Sequence, residues 1–157
     1  MEQEIVKENS LIEKLSAGKE YYEVRLESIG GLGANLCGKM LGELGVKYLE
    51  LNSSSFASYG SEKTGTPVKG YIRYCNKEKE IRVHSPVVEP DLLVIFHQAL
   101  LKDASVWKGC GSKTSVIIAL DEGQEQISIP QGICYGLKAQ RIAMETHSRI
   151  NVVMLGA

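Results

Sequence analysis

The chain has 157 residues, 43% of them hydrophobic and 24% charged, with a formal net charge of -1 from 18 basic and 19 acidic side chains. This is the composition of one globular domain able to bury a core. It argues against a nucleic-acid surface built on bulk positive charge, and no apolar run is long enough to span a membrane.

Residues 1 to 22 carry Ile5, Ile12 and Leu15 among charges and read as an N-terminal extension, either a short helix or a loose segment. No apolar core of a secretory signal is visible there, which fits a cytoplasmic protein. Ser16 to Gly18 lead into the first strand, built on Val24, Leu26 and Ile29. Gly30, Gly31 and Gly33 then predict a tight turn, and Leu36, Met40 and Leu44 recur at i, i+4 and i+8 as one apolar helix face. Gly45 is read as the helix stop and Val46 to Leu51 as a second strand, paired in parallel with the first. Such a turn aims backbone N–H groups at one point, a cradle for an anion. The dinucleotide fingerprint is half met: Gly31 and Gly33 fit, the third position is Leu36, and Glu50 stands where a ribose-binding acid is expected. The alternative is a turn that only packs a helix on a sheet.

Asn52 to Thr66 is rich in Ser, Gly and Thr, lacks a helical or strand period, and contains Phe56 and Tyr59, so it reads as a functional loop. Pro67 to Tyr74 and Glu80 to His84 both alternate and predict an antiparallel hairpin. Leu92 to Phe96 and Ser115 to Leu120 are continuous apolar runs, the pattern of strands covered on both faces. Between them a short helix is expected from His97 to Leu101, with Trp107 closing the core. Asp121 to Gln126 is an acidic turn. Ile127 to Leu137 is a strand broken at Pro130 and Gly132, and Lys138 to Thr146 is helical. The chain ends on the apolar segment INVVMLGA.

Cys37, Cys75, Cys110 and Cys134 form no CxxC pair, and His84, His97 and His147 have no metal-ligand spacing. The reading is reduced thiols and structural histidines. His97 alone stands at the carboxyl end of a strand, where open α/β sheets place ligands.

Three blocks carry a resemblance to a known family: IGGLG followed by a helix, SYGSEKTGTPVKGYIR, and NVVMLGA. Together with VVEPDLLVIFHQALL they are similar, in order over residues 23 to 157, to the gamma subunit (domain III) of the 2-oxoacid:ferredoxin oxidoreductases, with Pro67-Val68-Lys69 nearest the pyruvate branch. The chain departs from the family at Leu32, where the family carries Gln. It departs again at Ser61 and Thr64, where the family carries Pro and Arg, although Lys63 lies beside the latter. The family also continues beyond the final block into a further helix.

The resemblance implies a three-layer α/β domain over residues 23 to 157, with a mainly parallel sheet, an antiparallel hairpin and a Rossmann-like opening unit. It implies a subunit that shapes an interface and a cleft while the chemistry is carried elsewhere. Thiamine diphosphate, iron–sulfur clusters and coenzyme A are expected in the assembled complex, none held by this chain alone. The expected partners are alpha, beta and delta-type subunits, with ferredoxin acting through the complex and a dimer of the whole assembly compatible with this. No nucleic acid, membrane or metal is expected. The candidate cofactor-binding residues are Gly31, Gly33, Ser58, Tyr59, Gly60, Lys63, Gly65 and Thr66, and no catalytic residue is assigned. The alternatives are a stand-alone nucleotide-binding oxidoreductase and a non-catalytic assembly module.

Overall fold

The computed structural model describes residues 10–60, 65–123 and 127–157. Residues 1–9, the centre of the Ser58–Thr66 loop with Lys63, and the end of the acidic turn at 124–126 lie outside the described residues. The first described element is a short helix, α1 (Leu11–Ser16), whose N-cap Ser10 accepts a hydrogen bond from the Glu13 N–H. Strand β1 (Tyr22–Ile29) follows, then helix α2 (Ala34–Tyr48), then the paired strands β2 (Leu51–Tyr59) and β3 (Pro67–Asn76). The second half supplies β4 (Leu92–Ile95), two 3-10 helices (Gln98–Lys102 and Ala104–Trp107), β5 (Ser115–Ala119), β6 (Ile133–Leu137), α3 (Ala139–Glu145) and α4 (Ile150–Leu155).

The six strands form one sheet in the order β2-β3-β1-β4-β5-β6. The β1–β4, β4–β5 and β5–β6 pairs are parallel, and β3 runs antiparallel to both β1 and β2. The expected α/β class and its antiparallel hairpin are therefore present, with two corrections. The strands flanking α2 are not neighbours, because β3 lies between β1 and β2, with Leu26 opposite Gly70 and Ser55 opposite Ile72. And the hairpin partner of Pro67–Tyr74 is β2, drawn from the stretch read as a loop, while Glu80 to His84 forms no strand. Polar side chains hid β2: Ser53 and Ser55 face α2, where the Ser53 hydroxyl donates to the Gly42 carbonyl at 2.8 Å.

Helix α2 is also inverted relative to expectation. Its buried positions are Ala34, Cys37, Gly38, Gly42 and Gly45, while Leu36 (52% exposed) and Leu44 (39% exposed) face outward. Small residues bring the helix axis close to the sheet: Gly38 meets Leu26 and Ile72, Gly42 meets Ser53 and Ser55, and Gly45 meets Tyr74. Gly45 therefore packs instead of stopping the helix, which runs on through Val46, Lys47 and Tyr48.

The sheet has two differently covered faces. On one, α1, α2, α3 and α4 enclose a core that includes Leu15, Leu26, Ile72, Tyr74, Phe96, Ala139 and Met154. On the other, the 3-10 helices and irregular segments cover a second core of Leu93, Ile95, Leu100, Val106, Val116 and Ile118. Trp107 packs against this second core and donates its indole N–H to the Leu101 carbonyl at 3.0 Å.

The irregular segment after β3 is held by arginines. Arg73 Nη1 donates to the Ser85 carbonyl at 2.6 Å, and Arg25 Nη1 donates to the Val88 carbonyl at 3.2 Å. The Val83 carbonyl also lies 3.5 Å from Arg73 Nη1, so the segment carrying Ile81 and Val83 is tied to the sheet by a side chain and not by a strand ladder. On the opposite face Asp91 ties α1 to the sheet. Its carboxylate accepts from Lys14 Nζ at 2.9 Å and from the Glu23 N–H at 2.9 Å, and it pairs with Lys19.

Candidate functional site

The glycine turn joins the carboxyl end of β1 to the amino end of α2. Gly31 (φ 100°) and Gly33 (φ 78°) both occupy left-handed backbone that side chains rarely adopt. Gly33 is the N-cap of α2 and offers no side chain, and the first turn of the helix holds no acidic residue. The Cys37 N–H closes the first helical bond onto the Gly33 carbonyl at 3.0 Å. The N–H groups of Ala34, Asn35 and Leu36 thus precede the helical ladder, at the positive end of a 15-residue helix.

Two cavities flank this helix end and share Gly31 and Gly33. The first, about 370 Å³, is lined by Gly31, Gly33, Asn35, Tyr59 and Thr66 among others. Here Asn35 Nδ2 donates to the Tyr59 hydroxyl at 2.6 Å, and the Gly30 N–H donates to the Thr66 carbonyl at 3.0 Å. Four of the sequence-derived candidates, Gly31, Gly33, Tyr59 and Thr66, therefore converge. Gly60 is adjacent: its N–H donates to the Pro67 carbonyl at 3.2 Å. Ser58 does not join them. It is exposed, pairs in register with Lys69, and by strand alternation points away from Tyr59. Gly65 is exposed with φ 95°, and Lys63 lies outside the described residues.

The second cavity, about 430 Å³, lies on the other flank between α2, α3 and α4. It is lined by Gly33, Leu36, Gln140, Ser148, Arg149 and Asn151 among others. Asn151 is 5% exposed and its amide abuts Gly33, where an added Cβ would lie 2.8 Å from Asn151 Nδ2. The sequence drew attention to this residue only as part of the terminal NVVMLGA block.

A buried charge network, also absent from the sequence reading, lies beneath the 3-10 helices. Glu27 is 2% exposed and sits 3.2 Å from Arg25 Nε and 3.1 Å from Lys69 Nζ. Arg25 Nη2 donates to the Val106 carbonyl at 2.6 Å, but its Nε makes no well-formed hydrogen bond. Burial pushes the Glu27 carboxyl above the ordinary carboxylate range, against the opposing pull of Lys69 and Arg25. Alternating charge along β1 and β3 (Glu23, Arg25, Glu27; Lys69, Arg73) was the available signal.

Two further expectations are corrected. Glu50 precedes β2, at the far end of α2 from the glycine turn, which is about 22 Å for a helix of this length. It cannot hold a ribose bound there. His97 follows β4 as expected, but its Nδ1 accepts from the Ala99 N–H at 3.1 Å and caps a 3-10 helix. Among the described residues no three His, Cys, Asp or Glu side chains are grouped to hold a metal ion. No helix among them is long and apolar enough to cross a membrane. The donor set at the glycine turn, backbone N–H, amide and guanidinium, is suited to a phosphate and unsuited to an iron–sulfur cluster.

The comparisons with known proteins agree with this architecture. The pyruvate synthase subunit PorC of Thermotoga maritima is 34% identical over 95 residues, covering 59% of this chain and 46% of that protein. The gamma subunit of NADH-dependent phenylglyoxylate dehydrogenase of Aromatoleum evansii is 29% identical over 87% of this chain and 72% of its own length. The common gamma subunit of pyruvate/ketoisovalerate oxidoreductases of Pyrococcus furiosus is 32% identical over 67% and 55% respectively. The chain thus spans about half the length of two of these relatives.

In fold, it is similar to the crystal structure of the Thermotoga maritima pyruvate oxidoreductase subunit PORC (TM-score 0.73, 23% identity, 88% of this chain and 74% of that one). It is similar too to the 2-oxoglutarate:ferredoxin oxidoreductase of Magnetococcus marinus, solved with 2-oxoglutarate, coenzyme A and succinyl-CoA bound (TM-score 0.64, 16% identity, 87% and 23%). The sequence profile of the family described as pyruvate ferredoxin/flavodoxin oxidoreductase matches residues 23–157, and with sheet, helices and glycine turn arranged as above, the chain belongs to that family.

Proposed function

We propose that this chain is the gamma subunit domain of a multisubunit 2-oxoacid:ferredoxin oxidoreductase, with pyruvate the favoured substrate. The complex would convert a 2-oxo acid and coenzyme A to acyl-CoA and CO2 while reducing ferredoxin in the cytoplasm. The family match over residues 23–157 carries this reading. Thiamine diphosphate and the iron–sulfur clusters belong, on this reading, to the alpha, beta and delta-type subunits, where they supply the decarboxylation and electron transfer. This chain contributes a cleft wall and an interface.

The cleft wall is the glycine turn with Gly31, Gly33, Tyr59, Gly60 and Thr66, facing coenzyme A or the thiamine site. The lining of the first cavity by four of these residues supports it. The interface is supported by the outward apolar row of α2 and by an apolar groove of about 500 Å³ containing Tyr22, Leu92, Ile117, Tyr135 and Leu137.

The test is co-expression with the candidate alpha, beta and delta-type subunits, followed by an assay of pyruvate- and coenzyme A-dependent viologen reduction. Activity that requires this chain, together with its co-purification, is the expected result. A fully active complex assembled without it would reject the assignment.

A further inference from the structure

We infer that β2 is a docking strand for a second copy of this chain: two β2 edges pair antiparallel about a two-fold axis at Ser55 and join two sheets into one. β2 is a terminal strand of the sheet and pairs with β3 along one side only. Proteins blunt such an edge with charges, proline, a bulge or a short strand. β2 has none of these. Its nine residues, LNSSSFASY, include no charged residue and no proline, and its register against β3 runs unbroken from Leu51 to Tyr59. The other edge strand, β6, is five residues long and carries Gly136.

The direction of each backbone group follows from the ladder. The Gly60 N–H donates to the Pro67 carbonyl, and these two residues continue the β2–β3 register. Bonded pairs in an antiparallel ladder recur at every second residue. Asn52, Ser54, Phe56 and Ser58 therefore bond to β3, while the N–H and C=O groups of Leu51, Ser53, Ser55, Ala57 and Tyr59 point to the open edge. The bond from the Gly30 N–H to the Thr66 carbonyl fits the same alternation, with Thr66 turned to β1 and Pro67 to β2. Among the described residues, no other group takes up the outward N–H and C=O of Ser53, Ser55 and Ala57.

This outward set is symmetric about Ser55. An axis there sets Ser55 against the second copy's Ser55, Ser53 against its Ala57 and Leu51 against its Tyr59, so every outward group on both strands gains a partner at once. On the face away from α2, Phe56 falls beside the second copy's Ser54, and no side chain of β2 sets a charge against a like charge.

The charges of α2 agree with the same axis. A groove of about 300 Å³ runs between β2 and α2, lined by Lys39, Glu43, Val46, Lys47, Ser53 and Ser55 among others. Gly42 stands over Ser53 and Ser55, and α2 runs opposite to β2. One strand residue spans about two helix residues, so an axis through Ser55 crosses α2 between Lys39 and Glu43. Lys39 of each helix is then set toward the second copy's Glu43, giving two opposite-charge pairs related by the axis.

This pairing requires no other subunit, and sedimentation equilibrium of the full chain tests it. A reversible monomer–dimer equilibrium is expected. Ser55→Pro removes the N–H at the axis without taking a donor from the β3 ladder, and should weaken dimerisation about tenfold to a hundredfold. Glu43→Lys changes a side chain that is 69% exposed and should weaken it about tenfold, while adding Lys39→Glu to that variant should restore it. A chain that stays monomeric overturns the inference, and if Ser55→Pro then blocks capture by the partner subunits, the edge belongs to a strand of another subunit. A dimer indifferent to Ser55→Pro in a folded variant overturns it as well. Should Ser55→Pro fail to fold, the charge exchange decides alone: a dimer unmoved by Glu43→Lys, or not restored by the double exchange, places the contact elsewhere.

Discussion

Gly45 of α2 lies against the ring of Tyr74 on β3 with no room for a methyl group between them. A Cβ at position 45 would fall 2.8 Å from Tyr74 Cδ1 and closer still to Cε1, and the ring is itself locked in the core at 4% exposure. Gly45→Ala should gain about 1 kcal/mol in helix propensity and lose more through overpacking, for a net destabilisation of about 1–2 kcal/mol. Gly38→Ala is the control, because its nearest neighbour would be Leu26 Cδ1 at 3.4 Å, an ordinary contact. That variant should be neutral or slightly stabilising. Chemical denaturation of both reads the difference, and equal effects would show that α2 is not held at this distance by Tyr74.

The sequence made the strands of the second half legible because β4 and β5 are buried on both faces and their apolar runs have no competing interpretation. The turn at Gly30–Gly33 was legible for a similar reason: positive φ at Gly31 and Gly33 admits few other residues. The first half misled for one physical cause. Its helix buries glycines and exposes leucines, and the strand beneath it is lined with Ser53 and Ser55 to receive those glycines, so hydrophobic periodicity reported the wrong face of α2 and concealed β2 altogether. Of the candidate site, the sequence yielded the glycines and Tyr59 but not Asn151, whose position beside Gly33 depends on a contact between residues more than a hundred apart.

Glu27 makes the stability of the domain depend on pH. Burial raises its carboxyl above the unfolded value of about 4.3, and the pull of Lys69 and Arg25 does not fully reverse this. A group raised in the folded state contributes stability that is complete below the unfolded value and is lost as pH climbs through the folded one. Glu27→Gln has no such titration. The stability of wild type relative to Glu27→Gln should therefore fall as pH rises from about 4 through the raised value, and level off above it. Urea midpoints of the two proteins across that range test the sign, and a difference independent of pH would remove Glu27 as the source.

Asp91 is the clamp on α1. With 5% of its side chain exposed it holds Lys14, Lys19 and the Glu23 N–H. Asp91→Ala leaves these donors without their acceptor and should cost about 1–3 kcal/mol. The expected signature is local: amide hydrogen exchange rises over residues 11–19, where Leu15 loses its seat, while β4 and β5 stay protected. Uniform exchange across the domain would mean that the carboxylate supports the sheet and not the helix.

Cys37 should be inert in the folded protein. It is 1% exposed and burial pushes its thiol up to about 11. At pH 8 only about one molecule in a thousand carries the thiolate that reacts. Mass-spectrometric mapping after brief alkylation at that pH should find Cys110 and Cys134, which are half-buried, modified well before Cys37. Early modification of Cys37 would require α2 to leave the sheet under native conditions.

The outward row of α2 yields the prediction that reaches furthest into function. Leu36 and Leu44 are 52% and 39% exposed, yet the helix is firmly seated through its glycines. These side chains therefore add little to the fold of the chain and present an apolar strip at its surface. Met144 of α3, 64% exposed, lies on the same side as Leu36 across the second cavity. A strip of this kind marks a contact surface, and in the proposed complex it would be covered by a neighbouring subunit. Leu44→Glu should leave the unfolding free energy of the isolated chain within about 1 kcal/mol of wild type. In the complex it should abolish co-purification with the partner subunits, because an unpaired carboxylate cannot be buried in an apolar contact without a cost of several kcal/mol. Size-exclusion chromatography of the co-expressed subunits separates the outcomes. Assembly that survives Leu44→Glu and Leu36→Glu together would place the subunit contact on another face, with the apolar groove beside β6 the next surface to substitute.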